Sequence, residues 1–139
     1  MEQVDILTIA AHPDDVELTC AGTLIRMIAQ GYSVGILDLT QGEMGTRGTP
    51  EIRAKEAEAA RGAIGARFRE RMDLGDSRLT TSIPNRLAIA EKIRLARPRT
   101  VILPYWEARH PDHYMAAIVG YEACYAAGLK QLHAHAHWA

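Results

Sequence analysis

An almost unbroken apolar segment at residues 4–11 is followed directly by the polar block His-Pro-Asp-Asp at residues 12–15. Continuous apolar character over this length is typical of a strand that is buried on both faces, as in a parallel sheet. Apolar residues at helical spacing then continue to Gly31, and a glycine just past the last helical residue is a usual helix boundary. The first segment of the chain therefore predicts a buried strand, a polar turn and a helix.

The same alternation continues along the rest of the chain. The pattern predicts a strand at 33–40, a glycine-rich loop at 41–50, a helix to about 63, a weaker strand at 67–74, a helix at 84–96, a short strand at 99–104 and a helix at about 112–129. Regular β-α alternation predicts a parallel sheet with right-handed crossovers and helices on both faces. We therefore expect an α/β, Rossmann-like, doubly wound and mostly parallel sheet in three αβα layers. We assign 1–132 to one domain and 133–139 to a C-terminal tail.

Composition limits the classes of function that the chain can serve. Its 139 residues are 47% hydrophobic and 24% charged, which suits one globular domain. The net charge of −1 argues against a nucleic-acid-binding surface, which needs clustered positive charge. We expect no membrane span, since no apolar run approaches the roughly 18 to 20 residues that a span needs, and no signal peptide, since the N-terminus lacks a basic segment followed by an apolar stretch. The two cysteines, Cys20 and Cys124, indicate a reducing, cytoplasmic location.

Two short motifs follow strands that the fold should place side by side. Residues 11–15 (Ala-His-Pro-Asp-Asp) follow the first strand, and residues 110–113 (His-Pro-Asp-His) follow the fourth. In a doubly wound sheet these two strands are neighbours, and ligands bind beyond their carboxyl ends. Three histidines and three aspartates would then meet, which predicts a divalent metal site, with zinc as the expected ion. Taken singly, each motif is also compatible with ordinary helix capping.

These motifs, together with Thr-Gln-Gly-Glu-Met-Gly at 40–45, resemble the PIG-L/LmbE-like zinc-dependent N-deacetylases. Within that family the likeness is to the bacillithiol-biosynthesis branch, which deacetylates N-acetylglucosaminyl-malate. The resemblance covers residues 4 to about 132 and implies hydrolysis of the N-acetyl amide of an N-acetylglucosamine conjugate, giving glucosaminyl-malate and acetate in low-molecular-weight thiol biosynthesis. It also favours a homo-oligomer. Members of the family continue further at the C-terminus, so this chain is expected to be C-terminally short relative to them.

The resemblance also implies roles for individual residues. By that analogy, one zinc ion per chain is bound by His12, Asp15 and His113. Asp14 would be the general base, and His110, supported by Asp112, would be the neighbouring histidine that handles protons. Zinc would lower the pKa of its bound water to ~7 and polarise the amide carbonyl.

Arginines are the expected partners of an acidic substrate. Guanidinium groups bind carboxylates with paired donors and stay charged, so a malate conjugate should be held by arginines near the site. Arg53 follows the glycine-rich loop and Arg109 immediately precedes the second motif, so we expect them to face the cavity from opposite sides. Arg47, inside the loop, is a third candidate.

Two other classes of function stay open. A nucleotide-binding Rossmann module is disfavoured, because the turn after the first strand has no glycine-rich phosphate loop and its two carboxylates would repel phosphate. A metal-binding but inactive, shortened family member that acts by assembly with another chain is the second alternative. The alternating His133, His135 and His137 are expected to belong to a frayed tail rather than to a metal site.

Overall fold

A computed structural model describes residues 1–46 and 48–132 of the chain. Four strands alternate with helices along the described residues. In chain order the elements are β1 (Ile6–Ala10), α1 (Asp15–Thr19), α2 (Ala21–Ala29), β2 (Val34–Asp38), α3 (Pro50–Ile64), β3 (Phe68–Arg71), α4 (Ile83–Ala96), β4 (Thr100–Ile102) and α5 (Pro111–Ala127).

The four strands form one parallel sheet in the order β3-β2-β1-β4. In its register Ile6 of β1 lies opposite Val34 of β2 on one side and Thr100 of β4 on the other. The first strand is therefore next to the fourth, as the sequence predicted. The predicted α/β fold is confirmed, and the loops that follow β1 and β4 leave the same edge of the sheet.

Helices cover both faces of the sheet. On one face Leu7 and Ile9 of β1 pack in a buried cluster with residues of α4 and α5, such as Ile93 and Val119. On the other face Ile6 of β1 and Ile36 of β2 pack in a second buried cluster with residues of α1, α2 and α3, in which Leu24 is fully buried. Because side chains alternate along a strand, the apolar runs of β1 and β2 supply both cores at once.

Local sequence sets the helix ends. The hydroxyl of Thr49 accepts a hydrogen bond from the backbone N–H of Ile52 at 3.3 Å, Pro50 occupies the first turn of α3, and Gly65 ends the helix at φ 87°. A side-chain acceptor and a proline at the start and a glycine in the left-handed region at the end are favoured at these positions.

One element differs from the prediction. The helix expected to run as far as Gly31 is interrupted at Cys20, whose φ of −137° and ψ of 4° are not helical, so that α1 and α2 are separate. Helical periodicity in the sequence is unable to locate such a break, because Val16 and Leu24 still reach the same core on either side of it. Among the described residues, none of the helices has the length and apolar character needed to cross a bilayer.

Candidate metal centre

The loop after β1 is a tight turn that carries His12, Asp14 and Asp15. The backbone N–H of His12 donates to Asp15 Oδ2 at 2.9 Å, and the N–H of Asp15 donates back to the carbonyl of His12 at 3.3 Å. Asp14 has a φ of 115°, in the left-handed half of the map that residues other than glycine rarely adopt. Such backbone geometry persists only where surrounding contacts over-determine it, and it clusters at functional sites.

The second motif is at the start of α5, beyond the end of β4. His110 caps this helix, because its Nδ1 accepts a hydrogen bond from the backbone N–H of Asp112 at 3.2 Å. Pro111 occupies the first helical position, where a missing N–H costs nothing. The ring centroid of His110 lies 4.9 Å from that of His12 and 4.9 Å from that of His113, so three imidazoles converge at the edge of the sheet.

The structure brings the three predicted metal ligands together. His12, Asp15 and His113 each offer one ligand atom, and these atoms all lie within 4.8 Å of one another. His113 Nε2 is 3.1 Å from Asp15 Oδ1, and His12 Nδ1 is 3.5 Å from Asp15 Oδ2. Two imidazole nitrogens and one carboxylate oxygen are a donor set that suits zinc and leaves a position open for water.

A second group of possible ligands, consisting of His12, His110 and Asp112, satisfies the same distance limit. Its carboxylate is only 2% exposed and is already bound by two backbone N–H groups, those of Ser77 at 2.7 Å and Leu79 at 3.4 Å. The group that contains Asp15 and His113 is therefore the better candidate for a metal that also has to meet a substrate.

The two ring nitrogens of His12 have different surroundings. Nδ1 faces Asp15, whereas Nε2 lies 3.0 Å from Asp112 Oδ2 and 3.1 Å from Asp76 Oδ1. A metal-binding histidine usually donates its second ring N–H to a carboxylate or carbonyl, which sets the tautomer and the ring orientation. His12 has this arrangement, with Nδ1 turned toward the candidate metal position.

Electrostatics around the turn shift the pKa values of the two neighbouring aspartates in opposite directions. Burial lowers the pKa of His12, but hydrogen bonds to Asp15 and Asp112 and the nearby negative charges outweigh it and raise that pKa to about 9. Burial alone would raise the pKa of Asp15, yet its hydrogen bonds with His12 and the charge of His113 hold it below the ordinary value. Burial, followed by repulsion from Asp15, raises the pKa of Asp14. Asp15 is thus suited to bind a cation, and Asp14 to accept a proton.

The structure places Asp112 beside both His12 and His110. The sequence analysis expected its carboxylate to support His110, but the carboxylate lies against His12 and the loop after β3. The backbone N–H of Asp112 donates to His110 Nδ1, and a carboxylate oxygen of Asp112 lies within 4.8 Å of a ring nitrogen of His110, so its support of that histidine stays a prediction.

Asp76 is a site residue that the sequence analysis missed. It lies in the loop after β3, is 5% exposed, and contacts His12 with one carboxylate oxygen. A carboxylate in a Gly-Asp-Ser turn that follows a parallel strand is a signal that could have identified it, since such turns reach the same edge of the sheet.

A cavity of about 300 Å³ opens over these residues. The described residues that line it are His12, Asp14, Asp15, Gly42, Met44, Gly45, Arg53, Asp76, Ser77, His110 and His113. Arg53 therefore lines the cavity, and its guanidinium packs so closely over Gly42 and Gly45 that a Cβ at either glycine would collide with it.

The other two predicted substrate contacts are Arg109 and Arg47. Arg109 is exposed and is not among the described residues that line this cavity, so its contact with a substrate stays a prediction. It precedes His110, whose backbone is extended, and neighbouring side chains of extended backbone point in opposite directions. Arg47 and the histidines at 133, 135 and 137 lie outside the described residues.

Known proteins share this arrangement of sequence and fold. The sequence model of a family described as PIG-L, GlcNAc-PI de-N-acetylase, matches residues 7–124. A diacetylchitobiose deacetylase of Thermococcus kodakarensis is 34% identical over 135 residues, which cover 89% of this chain and 50% of that protein. The chain thus spans half the length of that relative.

Solved structures agree with the family match. The conserved protein TT1542 from Thermus thermophilus superposes with a TM-score of 0.90 and 45% identity, covering 94% of this chain and 59% of that one. The N,N'-diacetylchitobiose deacetylase from Pyrococcus horikoshii, complexed with its inhibitor MPG, superposes with a TM-score of 0.85 and 26% identity, covering 91% of this chain and 51% of that one.

Proposed function

Because the chain belongs to the PIG-L family, we propose that it is a metal-dependent N-deacetylase that hydrolyses the acetamide of an N-acetylated sugar. The observation that carries the proposal is the convergence of His12, Asp15 and His113 beside Asp14 on one cavity. The named activities of the deacetylase relatives support the same reaction class.

The three ligands fit a zinc ion, which we propose as the native metal. Bound there, zinc supplies a water of lowered pKa and polarises the amide carbonyl. Asp14 lines the cavity and has a raised pKa, so it accepts the proton of the attacking water and delivers it to the leaving nitrogen as the C–N bond breaks. His110 lines the same cavity, and because its Nδ1 accepts the helix-capping bond from Asp112 N–H, its Nε2–H donates to the developing oxyanion. Acetate and the free amino sugar are the products.

The finer proposal for the substrate is N-acetylglucosaminyl-malate. Its support is Arg53, which lines the central cavity and also a neighbouring cavity of about 360 Å³ that shares Asp14 with it. An aglycone that extends from the reacting amide toward the second cavity would pass the guanidinium, where a carboxylate is bound well.

A neutral second sugar is the alternative aglycone. The neighbouring cavity is also lined by Glu17 and Glu56, so its carboxylates outnumber its one arginine and disfavour a dianion such as malate. The deacetylase relatives named for diacetylchitobiose favour this alternative. We further propose a cytoplasmic location, from the two free cysteines, and a homo-oligomer, from the family resemblance.

The first experiment measures bound zinc and acetate release on the same purified protein. We expect close to one zinc per chain, loss of zinc in His113→Ala, and acetate release from diacetylchitobiose or the malate conjugate. The matched control replaces the tail histidines His133, His135 and His137 with alanine and should keep its zinc. Full zinc occupancy in a His12→Ala, His113→Ala double variant would exclude this ligand set. Zinc without acetate release from either substrate would support the assembly alternative instead.

The second experiment separates the two aglycones. Arg53→Ala should lower kcat/KM for the malate conjugate far more than for diacetylchitobiose, because the arginine contacts a part of the substrate remote from the reacting bond. Arg109→Ala tests the second predicted arginine in the same way. Arg26→Ala is the matched control, because Arg26 is exposed on α2, is not among the described residues that line either cavity, and should leave both values unchanged when replaced. Equal losses on both substrates in Arg53→Ala would remove the support for an acidic aglycone.

A further inference from the structure

We propose that Asp76 is a positioning residue that holds the imidazole of His12 and couples it to residues 41–46 of the glycine-rich loop. The inference rests on the proposed role of His12 as a metal ligand. It concerns a residue outside both metal motifs, on the loop that follows β3.

The first contact of Asp76 is with the metal-ligand candidate. Its Oδ1 lies 3.1 Å from His12 Nε2, and the same nitrogen lies 3.0 Å from Asp112 Oδ2. The two carboxylates come from different segments, the β3 loop and α5, and both are nearly excluded from solvent, at 5% and 2% exposure. With acceptors on this side, the ring holds its proton on Nε2 and presents Nδ1 toward Asp15.

The second set of contacts connects Asp76 to the glycine-rich loop. The backbone N–H of Met44 donates to Asp76 Oδ2 at 2.8 Å, and the backbone N–H of Asp76 donates to Glu43 Oε1 at 2.7 Å. The same loop lines the central cavity through Gly42, Met44 and Gly45. One carboxylate therefore bonds the substrate side of the cavity with one oxygen and the metal side with the other.

The residue after Asp76 completes this arrangement. Ser77 has a φ of 62°, in the left-handed region, and its backbone N–H donates to Asp112 Oδ2 at 2.7 Å. Its hydroxyl donates to Asp76 Oδ1 at 3.3 Å. A serine rarely adopts this conformation, and here it is held by bonds to both carboxylates that contact His12. The turn at Ser77 thus orients the carboxylates of Asp76 and Asp112 toward His12.

Coupling of this kind makes metal binding and loop order depend on each other. A substrate that orders the glycine-rich loop would, through Asp76, also hold His12 in its binding orientation. Thermodynamic reciprocity then requires bound metal to strengthen the binding of that substrate by the same factor. Removing the carboxylate should break this dependence even where the loop keeps its shape.

The variants Asp76→Asn and Asp76→Ala distinguish the contact of Asp76 with His12 from its contact with Met44. The asparagine retains an amide oxygen that can accept from Met44 N–H, but it presents a donor to His12 Nε2. The alanine loses both contacts. Asp73→Asn is the matched control, because Asp73 is exposed in the same connection. If circular dichroism shows that Asp76→Asn does not fold, Asp76→Glu is used in its place. This variant retains the charge but holds it one methylene further from the backbone.

Zinc affinity is measured by competition with a chromophoric chelator, and the site is also loaded with Co²⁺ for its absorption spectrum. We expect Asp76→Asn and Asp76→Ala to bind zinc about 10-fold more weakly and to shift the Co²⁺ bands, as changes behind a metal ligand commonly cost 10- to 100-fold. Hydrogen exchange at Met44 N–H should quicken in Asp76→Ala and stay slow in Asp76→Asn. Asp73→Asn should match the wild type throughout.

The failure of this inference is distinguishable from failure of the proposed function. If the wild type binds zinc while the Asp76 variants bind it within twofold and show an unchanged Co²⁺ spectrum, Asp76 does not position His12. If the wild type itself binds no zinc, the proposed function is wrong, and the inference falls with it.

Discussion

A buried ion network beside the candidate site allows a quantitative prediction. Arg69 of β3 donates to both carboxylate oxygens of Asp38, at 2.7 and 3.1 Å, and to Glu17 of α1 at 2.5 Å. The Arg69 side chain is 2% exposed and that of Asp38 is fully buried. The network connects β2 and β3 to the short helix that begins at Asp15. Its loss would therefore destabilise the turn after β1, which carries the candidate metal ligands, as well as the core.

Replacing Arg69 with methionine removes the guanidinium but keeps apolar volume. Asp38 would then be a buried carboxylate without its cation, and breaking a buried pair in this way costs about 3–5 kcal/mol. Single domains are stable by about 5–15 kcal/mol, so the variant loses a large share of its stability. For a chain of this length the melting temperature should fall by about 10–20 °C.

The pH dependence of this loss follows from Asp38. Burial raises the pKa of Asp38 even with Arg69 present, and the shift must increase when the arginine is removed. A raised pKa in the folded state means that ionised Asp38 costs stability. That cost is absent below the unfolded-state pKa and grows as the pH rises through the folded-state pKa. The free energy of unfolding that Arg69→Met loses relative to wild type should therefore be largest near pH 8 and become smaller toward pH 5.

Urea unfolding followed by circular dichroism at both pH values measures the free energy of unfolding. Lys92→Met is the control, because Lys92 pairs with Glu70 where both side chains are about a third exposed, and such a pair contributes less than about 1 kcal/mol. An Arg69→Met variant within 1 kcal/mol of wild type, or a deficit that grows on acidification, would refute the reasoning.

Three further predictions concern the site. Zinc affinity should rise about tenfold per pH unit from pH 7 until it levels near pH 9, because zinc must displace the proton from His12, whose pKa without metal is about 9. Chelator competition across that pH range tests this prediction, and an affinity that does not change with pH would contradict it. Asp14→Asn should keep its zinc and lose about 10²–10⁴-fold in kcat, and unchanged turnover would remove Asp14 from the mechanism. Gly45→Ala should displace the Arg53 guanidinium and raise KM with little change in melting temperature, and an unaltered KM would show that the packing has no role in binding.

Much of the fold could be predicted because its signals are local. The apolar runs that became β1 and β2, the proline and capping residues at the start of α3, and Gly65 at its end each act within a few residues. Parallel β-α alternation then limits the topology to few arrangements, which is why β1 and β4 could be placed side by side before any contact was known. The two metal motifs follow those strands, so their convergence followed from the same rule.

What the tertiary structure decided is which side chains meet across long separations. Asp112 contacts His12 across 100 residues, and Asp76 reaches the same imidazole from the loop after β3, outside both metal motifs. Arg53 and Arg109 had equal claims in the sequence, yet only Arg53 lines the cavity among the described residues. The sequence by itself determined the strand order and the chemical types at the sheet edge, because periodicity and capping are properties of neighbouring residues. The partner of each ring nitrogen depends on how three loops pack, which no local pattern encodes.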